Sequence, residues 1–316
     1  MTGGEPIPVV MNLIEFGGLN QQSVTALSGA SMVMVMAAPP GTTPVWTLAY
    51  EDNAVMGGHA RLDPRGLAKA PLVLPTVRHR TVFTLVAKTG GATARRDVVV
   101  LPGQALSPYL NQVNDLAIGV IDNTGQVQAA FRAEGVNFTS LETDLQRDYF
   151  TGSTVVLAGF GNAESLLEES SKFRTRLAEG TILLIMNPPA GWSDYGVKSV
   201  AGENTCAGQP NLASGFGRLI HADDLGNGPW KNFVEVRSPA LVLAGVRAPS
   251  DRSAAQGGDR HGIVVARQVG RGSAFVAVLP QLDDPVRDAV GRFVLNEAIL
   301  WTLSERQTRL IMEDGK

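Results

Sequence analysis

Ser153-Thr-Val-Val-Leu-Ala-Gly-Phe-Gly161 and Gly180-Thr-Ile-Leu-Leu-Ile-Met-Asn-Pro-Pro189 are two apolar runs of strand length. The segment between them is amphipathic: Leu166, Leu167, Phe173 and Leu177 lie among Glu164, Glu168, Glu169, Lys172, Arg174 and Arg176. This reads as strand, helix, strand, with one helix face in water. Strands so uniformly apolar are covered on both faces, as in a parallel sheet. Open parallel sheets bind ligands beyond the carboxyl ends of their strands. Those ends are Gly159-Phe-Gly161-Asn162 and Asn187-Pro188-Pro189.

Outward from this unit, Leu116-Ala-Ile-Gly-Val-Ile121 is an earlier apolar strand that runs into Asp122-Asn-Thr-Gly125. Gln126 to Glu134 has helical character, and Gly135 to Leu141 is a second strand candidate. Beyond Pro189 the pattern breaks. Residues 190–238 are rich in glycine, carry Pro210, Pro229, Trp192, Tyr195, Trp230 and Cys206, and read as an irregular insertion. Ala240 to Ala244 restores a strand. Gly262 to Val269 and Ser273 to Leu279 flank Gly270-Arg-Gly272, a hairpin signal. Asp283-Asp-Pro285 opens a closing helix whose apolar stripe is Val286, Val290, Phe293, Val294, Ala298 and Trp301. The alternation of strands and helices predicts a doubly wound α/β domain over residues 115–306, with a tail at 307–316.

The first third has a different texture. After a lead-in segment, 1–22, short apolar runs recur from Val24 to Gly103 without helical periodicity. They are Ser31 to Met36, Val45 to Tyr50, His59 to Leu62, Pro71 to Leu74, Thr81 to Ala87 and Ala94 to Leu101. Trp46, Leu48 and Tyr50 alternate to one face, with Trp46 read as core, and Gly90-Gly91 marks a hairpin. Such spacing predicts an all-β sandwich over 23–104, joined to the α/β domain by a Pro/Gly/Ser connector at 105–114.

The length of 316 residues fits two domains. The hydrophobic share of 44% and charged share of 18% are those of an ordinary soluble globular protein. A net charge of −3 without a long basic run argues against a nucleic-acid partner. No run reaches the ~20 apolar residues of a membrane span, and no stretch has the order of a signal peptide. The single cysteine, Cys206, rules out an internal disulfide and a cysteine-rich zinc site.

The run of short strands with an early tryptophan and a final hairpin resembles immunoglobulin-like accessory domains, without their inter-sheet cysteines. Residues 116–305 resemble the class I glutamine amidotransferase-like fold, a flavodoxin-like relative. The likeness rests on a glycine loop after the third strand, a Gly-Thr-led fourth strand, a late hairpin and a closing helix. Degenerate copies of that fold occur beside β-sandwich modules in multidomain carbohydrate-active enzymes. The resemblance implies a cysteine on a sharp turn after the fourth strand, but Met186-Asn187-Pro188-Pro189 stands there. It also implies a histidine and a glutamate after a late strand, where this chain has Leu279-Pro280-Gln281-Leu282-Asp283. No catalytic residue, metal site or cofactor is therefore assigned.

The expected ligand site is the sheet end: Asp122, Asn123, Gly159, Gly161, Asn162 and Asn187, roofed by Trp192 and Trp230. The functional expectation is a non-catalytic, accessory two-domain protein for assembly or for binding a carbohydrate or other small ligand. Its partners beyond that ligand are a second copy or a larger parent enzyme. The alternative is a glycan-acting hydrolase using carboxylates such as Asp122, Glu142, Asp283 or Asp284. Scattered His59, His79, His221 and His261, with Asp223, Asp224 and Asp259 nearby in sequence, read as solvated loop groups rather than metal ligands.

Overall fold

Among the described residues, three sheets organise the chain, and strands far outnumber helices. The computed structural model describes residues 7–12, 23–141, 155–158, 175, 177–188, 193–194, 197–201, 211–212, 217–226, 232–236, 241–245, 260–269, 272–277 and 289–314. The chain divides into two units, Met1–Ala105 with Val286–Ala289, and Leu106–Pro285 with Val290–Lys316.

In the first unit, β1 (Ile7–Asn12), β3 (Ser31–Ala37) and β6 (Leu67–Val73) form a sheet of order β1-β3-β6. A second sheet has the order β2-β8-β7-β4-β5, from β2 (Val24–Leu27), β4 (Val45–Tyr50), β5 (Asn53–His59), β7 (Thr81–Thr89) and β8 (Ala92–Leu101). Side chains alternate along these strands, so each sheet has one buried face. Met32, Met34, Met36, Ala70 and Leu72 share a single core with Trp46, Leu48, Phe83, Leu85, Val98 and Val100 of the other sheet.

The strand expected at His59 to Leu62 lies earlier, at β5, and the glycines within it explain the misplacement. Gly57 and Gly58 weaken a strand signal, yet here they make room for the neighbouring strand. A Cβ on Gly57 would sit 2.8 Å from the main-chain oxygen of Trp46, and one on Gly58 would sit 3.1 Å from the indole Nε1.

The connector expected at 105–114 is itself structured. It forms a single 3-10 turn, Ser107–Tyr109, and α1 (Leu110–Asn114), and Ala105 and Leu106 are buried.

The second unit is built on an eleven-stranded mixed sheet. Its parallel part runs β10-β9-β11-β12-β19, from β9 (Ile118–Ile121), β10 (Thr139–Ser140), β11 (Val155–Ala158), β12 (Ile182–Met186) and β19 (Gly272–Ala277). All residues of β9 and β12 are buried, as their continuous apolar runs require. Beyond β19 the sheet is antiparallel: the first pair is the one expected of the hairpin between Gly262 to Val269 and Ser273 to Leu279, and the expectation of a doubly wound sheet needs correction past it. There β18 (Arg260–Val269) pairs antiparallel with β19, β16 (Asn232–Val236) with β18, and β14 (Val197–Ala201) with β16, ending at β13 (Ser193–Asp194). β17 (Leu241–Gly245) also pairs with β18, and β15 (Asn211–Leu212) with β17. The 190–238 insertion is thus partly sheet, not wholly irregular. Val197 to Ala201 and Asn232 to Val236 are short runs, and their glycine- and proline-rich surroundings hide them in the sequence.

Beside α1 this unit holds α2 (Gln126–Glu134), α3 (Ala222–Gly226) and α4 (Ala289–Asp314), and residues 175 and 177–179, between β11 and β12, are helical as well. Helix α2 buries Val127, Ala130, Phe131 and Glu134, one stripe at helical spacing. Helix α4 is different, because every residue from Ala289 to Leu300 is buried, including Arg292, Asn296 and Glu297. Arg292 reaches Glu134 Oε1 through Nη2 at 3.1 Å and Nε at 3.2 Å, and Asn296 Nδ2 donates to the same oxygen at 3.0 Å. Glu134 Oε2 accepts the Leu106 N–H at 3.2 Å.

This packing has two measurable consequences. Gly57→Ala must move the backbone of β4, and is expected to cost about 1–3 kcal/mol in a urea titration. Arg292→Leu leaves a buried carboxylate without its cation and is expected to cost about 3–5 kcal/mol by the same measurement; a cost no larger than that of an ordinary surface substitution would contradict the buried pairing.

Candidate functional site

The carboxyl ends of β9, β11 and β12 lie side by side. Ile121 pairs with Ala158, and Ala158 with Ile185, so Asp122 and Asn187 follow strands two positions apart. At the usual spacing between strands this separates the two chain positions by about 10 Å. The order β10-β9-β11 places the second strand of the unit on one side of the first and the third on the other. In doubly wound sheets such a reversal marks the place where ligands are held.

Asp122 is buried just past the carboxyl end of β9, and both its carboxylate oxygens are engaged by its own chain. Oδ1 accepts the Thr124 N–H at 3.0 Å and the Thr124 hydroxyl at 2.8 Å. Oδ2 accepts the N–H groups of Val127 at 2.8 Å and Gln128 at 3.2 Å. The first turn of a helix leaves its N–H groups without intrahelical partners, and its positive end attracts a carboxylate. Gly125 enters the helix at φ 73, a left-handed conformation that suits glycine, and Asp122 reaches over it to cap α2. The residue is therefore a structural acceptor, and two amides that would otherwise face an anion are occupied. Asn123 is exposed on the same loop.

Asn187 follows β12 with φ 54, one of three non-glycine residues at positive φ among the described residues. It is half-buried, and Pro188 after it is buried. A residue before proline is steered to extended backbone, so a left-handed one there is doubly unusual. Asparagine tolerates that region better than most residues. The turn after β12 thus carries a carboxamide at positive φ.

Gly159, Gly161, Asn162, Trp192 and Trp230 lie outside the described residues, as do Cys206, Glu142, Asp259, Asp283 and Asp284. The structure places Asp122 and Asn123 after β9 and Asn187 after β12, past the carboxyl ends of two strands that β11 separates. His59 and His79 are exposed in the first unit. Asp224 Oδ2 accepts the His221 N–H at 3.0 Å while Asp224 N–H donates to the His221 carbonyl at 3.1 Å, a reciprocal cap on α3. No group of three potential metal ligands occurs among the described residues, and none of their helices is long and apolar enough to cross a membrane. The buried polar residues Glu134, Arg292, Asn296 and Glu297 escape a reading by period. Their signal is three polar residues placed within the apolar run from Val290 to Trp301.

No family model matches the chain, and no curated protein does. Among solved structures, the chain is similar to a Thermoplasma acidophilum protein described as a candidate component of GMP synthase, at 13% identity over 61% of this chain and 97% of that one, TM-score 0.37. It is also similar to a sialyltransferase from Photobacterium damsela, at 8% identity over 55% of this chain and 37% of that one, TM-score 0.22. A third likeness, to the ZIG-8–RIG-5 IG1-IG1 heterodimer, has 10% identity over 28% of this chain and 84% of that one, TM-score 0.19. At these scores the likenesses do not establish a shared fold.

The geometry at Asn187 separates a backbone role from a side-chain role. Asn187→Gly is expected to leave thermal stability unchanged or raised, whereas Asn187→Ala lowers it by about 1 kcal/mol. Equal stability of the two variants would show that the left-handed turn carries no strain.

Proposed function

We propose that the chain is a non-catalytic, accessory two-unit protein that holds a carbohydrate or other small ligand at the carboxyl edge of its large sheet. The observation that carries this reading is Asn187: the sharp turn is present, and a carboxamide stands where a nucleophile would be needed. A carboxamide orients ligands by donating and accepting hydrogen bonds, but it is not an acyl-transfer nucleophile. Asp122 adds to the case. Its two oxygens hold four hydrogen bonds from its own loop and helix, which leaves it ill-suited to move protons in glycoside hydrolysis.

Two finer fold readings belong to this proposal. The β10-β9-β11-β12-β19 order corresponds to the 2-1-3-4-5 order of flavodoxin-like sheets, which supports a degenerate amidotransferase-like unit. In the first unit, β3 beside β6 and the run β8-β7-β4-β5 match strands B–E and G-F-C-C′ of an immunoglobulin-like sandwich.

Calorimetric titration of the full chain with a panel of neutral oligosaccharides, run beside an assay for new reducing ends, tests the reading. Binding without reducing-end release, weakened by Asn187→Gly, is the expected result. Release of reducing ends would replace the accessory role with the hydrolase alternative, and binding untouched by Asn187→Gly would remove the site from this sheet edge.

A further inference from the structure

Among the described residues, the two sheets of the first unit end in the edge strands β1, β6, β2 and β5. Three of these edges are guarded. β1 carries Pro8, β6 carries Lys69 and Pro71, and β2 is only four residues long. Proline, lysine and brevity each discourage the addition of another strand. β5 is seven residues long, Asn53-Ala-Val-Met-Gly-Gly-His59, and holds no proline, lysine, arginine or carboxylate. A bulge at Val55 bends it locally, but Met56 to His59 keep regular register with Val45 to Leu48 of β4. Ala54, Val55, Gly57 and His59 are exposed, Val55 at 47%. Gly57 has no side chain, so its exposure is that of the main chain itself.

We propose that β5 is the contact through which two copies of this chain pair, edge to edge and antiparallel about a two-fold axis at Gly57, joining their five-stranded sheets into one. A two-fold contact requires a patch that complements itself. Residues directly opposite in an antiparallel pair share a face, so the axis passes through a residue. With the axis at Gly57, two glycines meet at the centre and the main chains approach without side chains between them. Met56 then faces the partner's Gly58, and Val55 faces the partner's His59, so large side chains meet small ones and no like charges meet.

Charge decides the direction. β5 is preceded by an exposed acidic turn, Glu51-Asp52. Past its other end, the Ala60 N–H still bonds the Pro44 carbonyl at 3.0 Å, so the chain stays extended up to exposed Arg61. Antiparallel docking lays each acidic turn beside the partner's Arg61, whereas a parallel arrangement would lay one acidic turn on the other. Asp63 stands nearby, and its Oδ1 already accepts the N–H groups of Arg65 at 2.8 Å and Leu67 at 2.9 Å. An extended segment of any protein satisfies the same main-chain groups, but a second copy also supplies the opposite charge and the large-on-small fit. The contact is one strand long, so its area falls in the weak class below about 1,200 Å² and its occupancy depends on concentration.

Sedimentation velocity of the full chain from about 10 μM to about 1 mM, a range that covers weak association, tests the contact. The wild type is expected to pass from monomer to dimer as concentration rises. Val55→Lys is expected to stay monomeric, because a lysine on an edge blocks strand addition. Val73→Lys, at a position 59% exposed on β6, is expected to dimerise like the wild type. A wild type that stays monomeric throughout, a dimer unmoved by Val55→Lys, or a dimer weakened as much by Val73→Lys would each overturn the proposal. Arg61→Glu gives a second reading should Val55→Lys not fold: self-association is expected to weaken at least about threefold, and an unmoved dimer would equally sink the idea.

Discussion

The buried contact between Glu134 and Arg292 is the constraint on which the larger unit depends. Glu134 is the last residue of α2, where the negative end of the helix repels a carboxylate. Burial adds a second penalty, because a charge leaves water. Both are offset only by a near-complete shell: two donors from Arg292, one from Asn296 and the Leu106 amide. Ion pairs of this kind add little net stability over an apolar packing, but a wrong arrangement strands a charge. The contact therefore selects one register of α2 against α4 and one position for the chain at Leu106. Asn296 Oδ1 stays buried without a partner, a remaining cost inside the same cluster.

Helix α2 is consequently fixed at both ends by carboxylates. Asp122 ties its first turn to the end of β9, and Glu134 ties its last turn to α4. A strand and helix so pinned form a stiff unit beside β11. The chemistry of that unit is governed by the same bonds, because an acceptor already holding four donors is a poor partner for a substrate proton. Structural demand and catalytic demand compete for one residue here, and the hydrogen-bond distances favour the structural one.

Much of this was legible in the sequence where burial follows period. The runs that became β3, β4, β7, β9 and β12 and the stripe of α2 announce themselves by apolar spacing alone. Trp46 reads as core and is buried. Legibility failed where a residue answers to a partner distant in sequence. Gly57 and Gly58 look like strand breakers, yet they exist for the Trp46 strand beside them. Arg292 and Glu297 look like a helix face for water, yet their partners lie 158 and 78 positions away, at Glu134 and Leu219. The antiparallel extension through β16 and β14 was hidden for a related reason, since two five-residue runs gain their stability from a sheet edge that single-sequence pattern does not display. At the candidate site, Asn187 was identified by its place after a strand. Its backbone conformation was not, because asparagine before proline gives no sign of a left-handed turn.

That conformation bears on which side chains the turn after β12 can carry. A turn held at positive φ before proline is strained, and strain persists only where neighbouring structure over-determines it. Here β12 is buried along its whole length and flanked by β11 and β19, while Pro188 is itself buried. The framework therefore imposes the sharp turn whatever side chain it carries. Residues that relieve the strain, asparagine and glycine, are then favoured on stability alone, whereas a cysteine or serine there would be retained only for its chemistry. Asparagine at this position satisfies the demand of the turn itself.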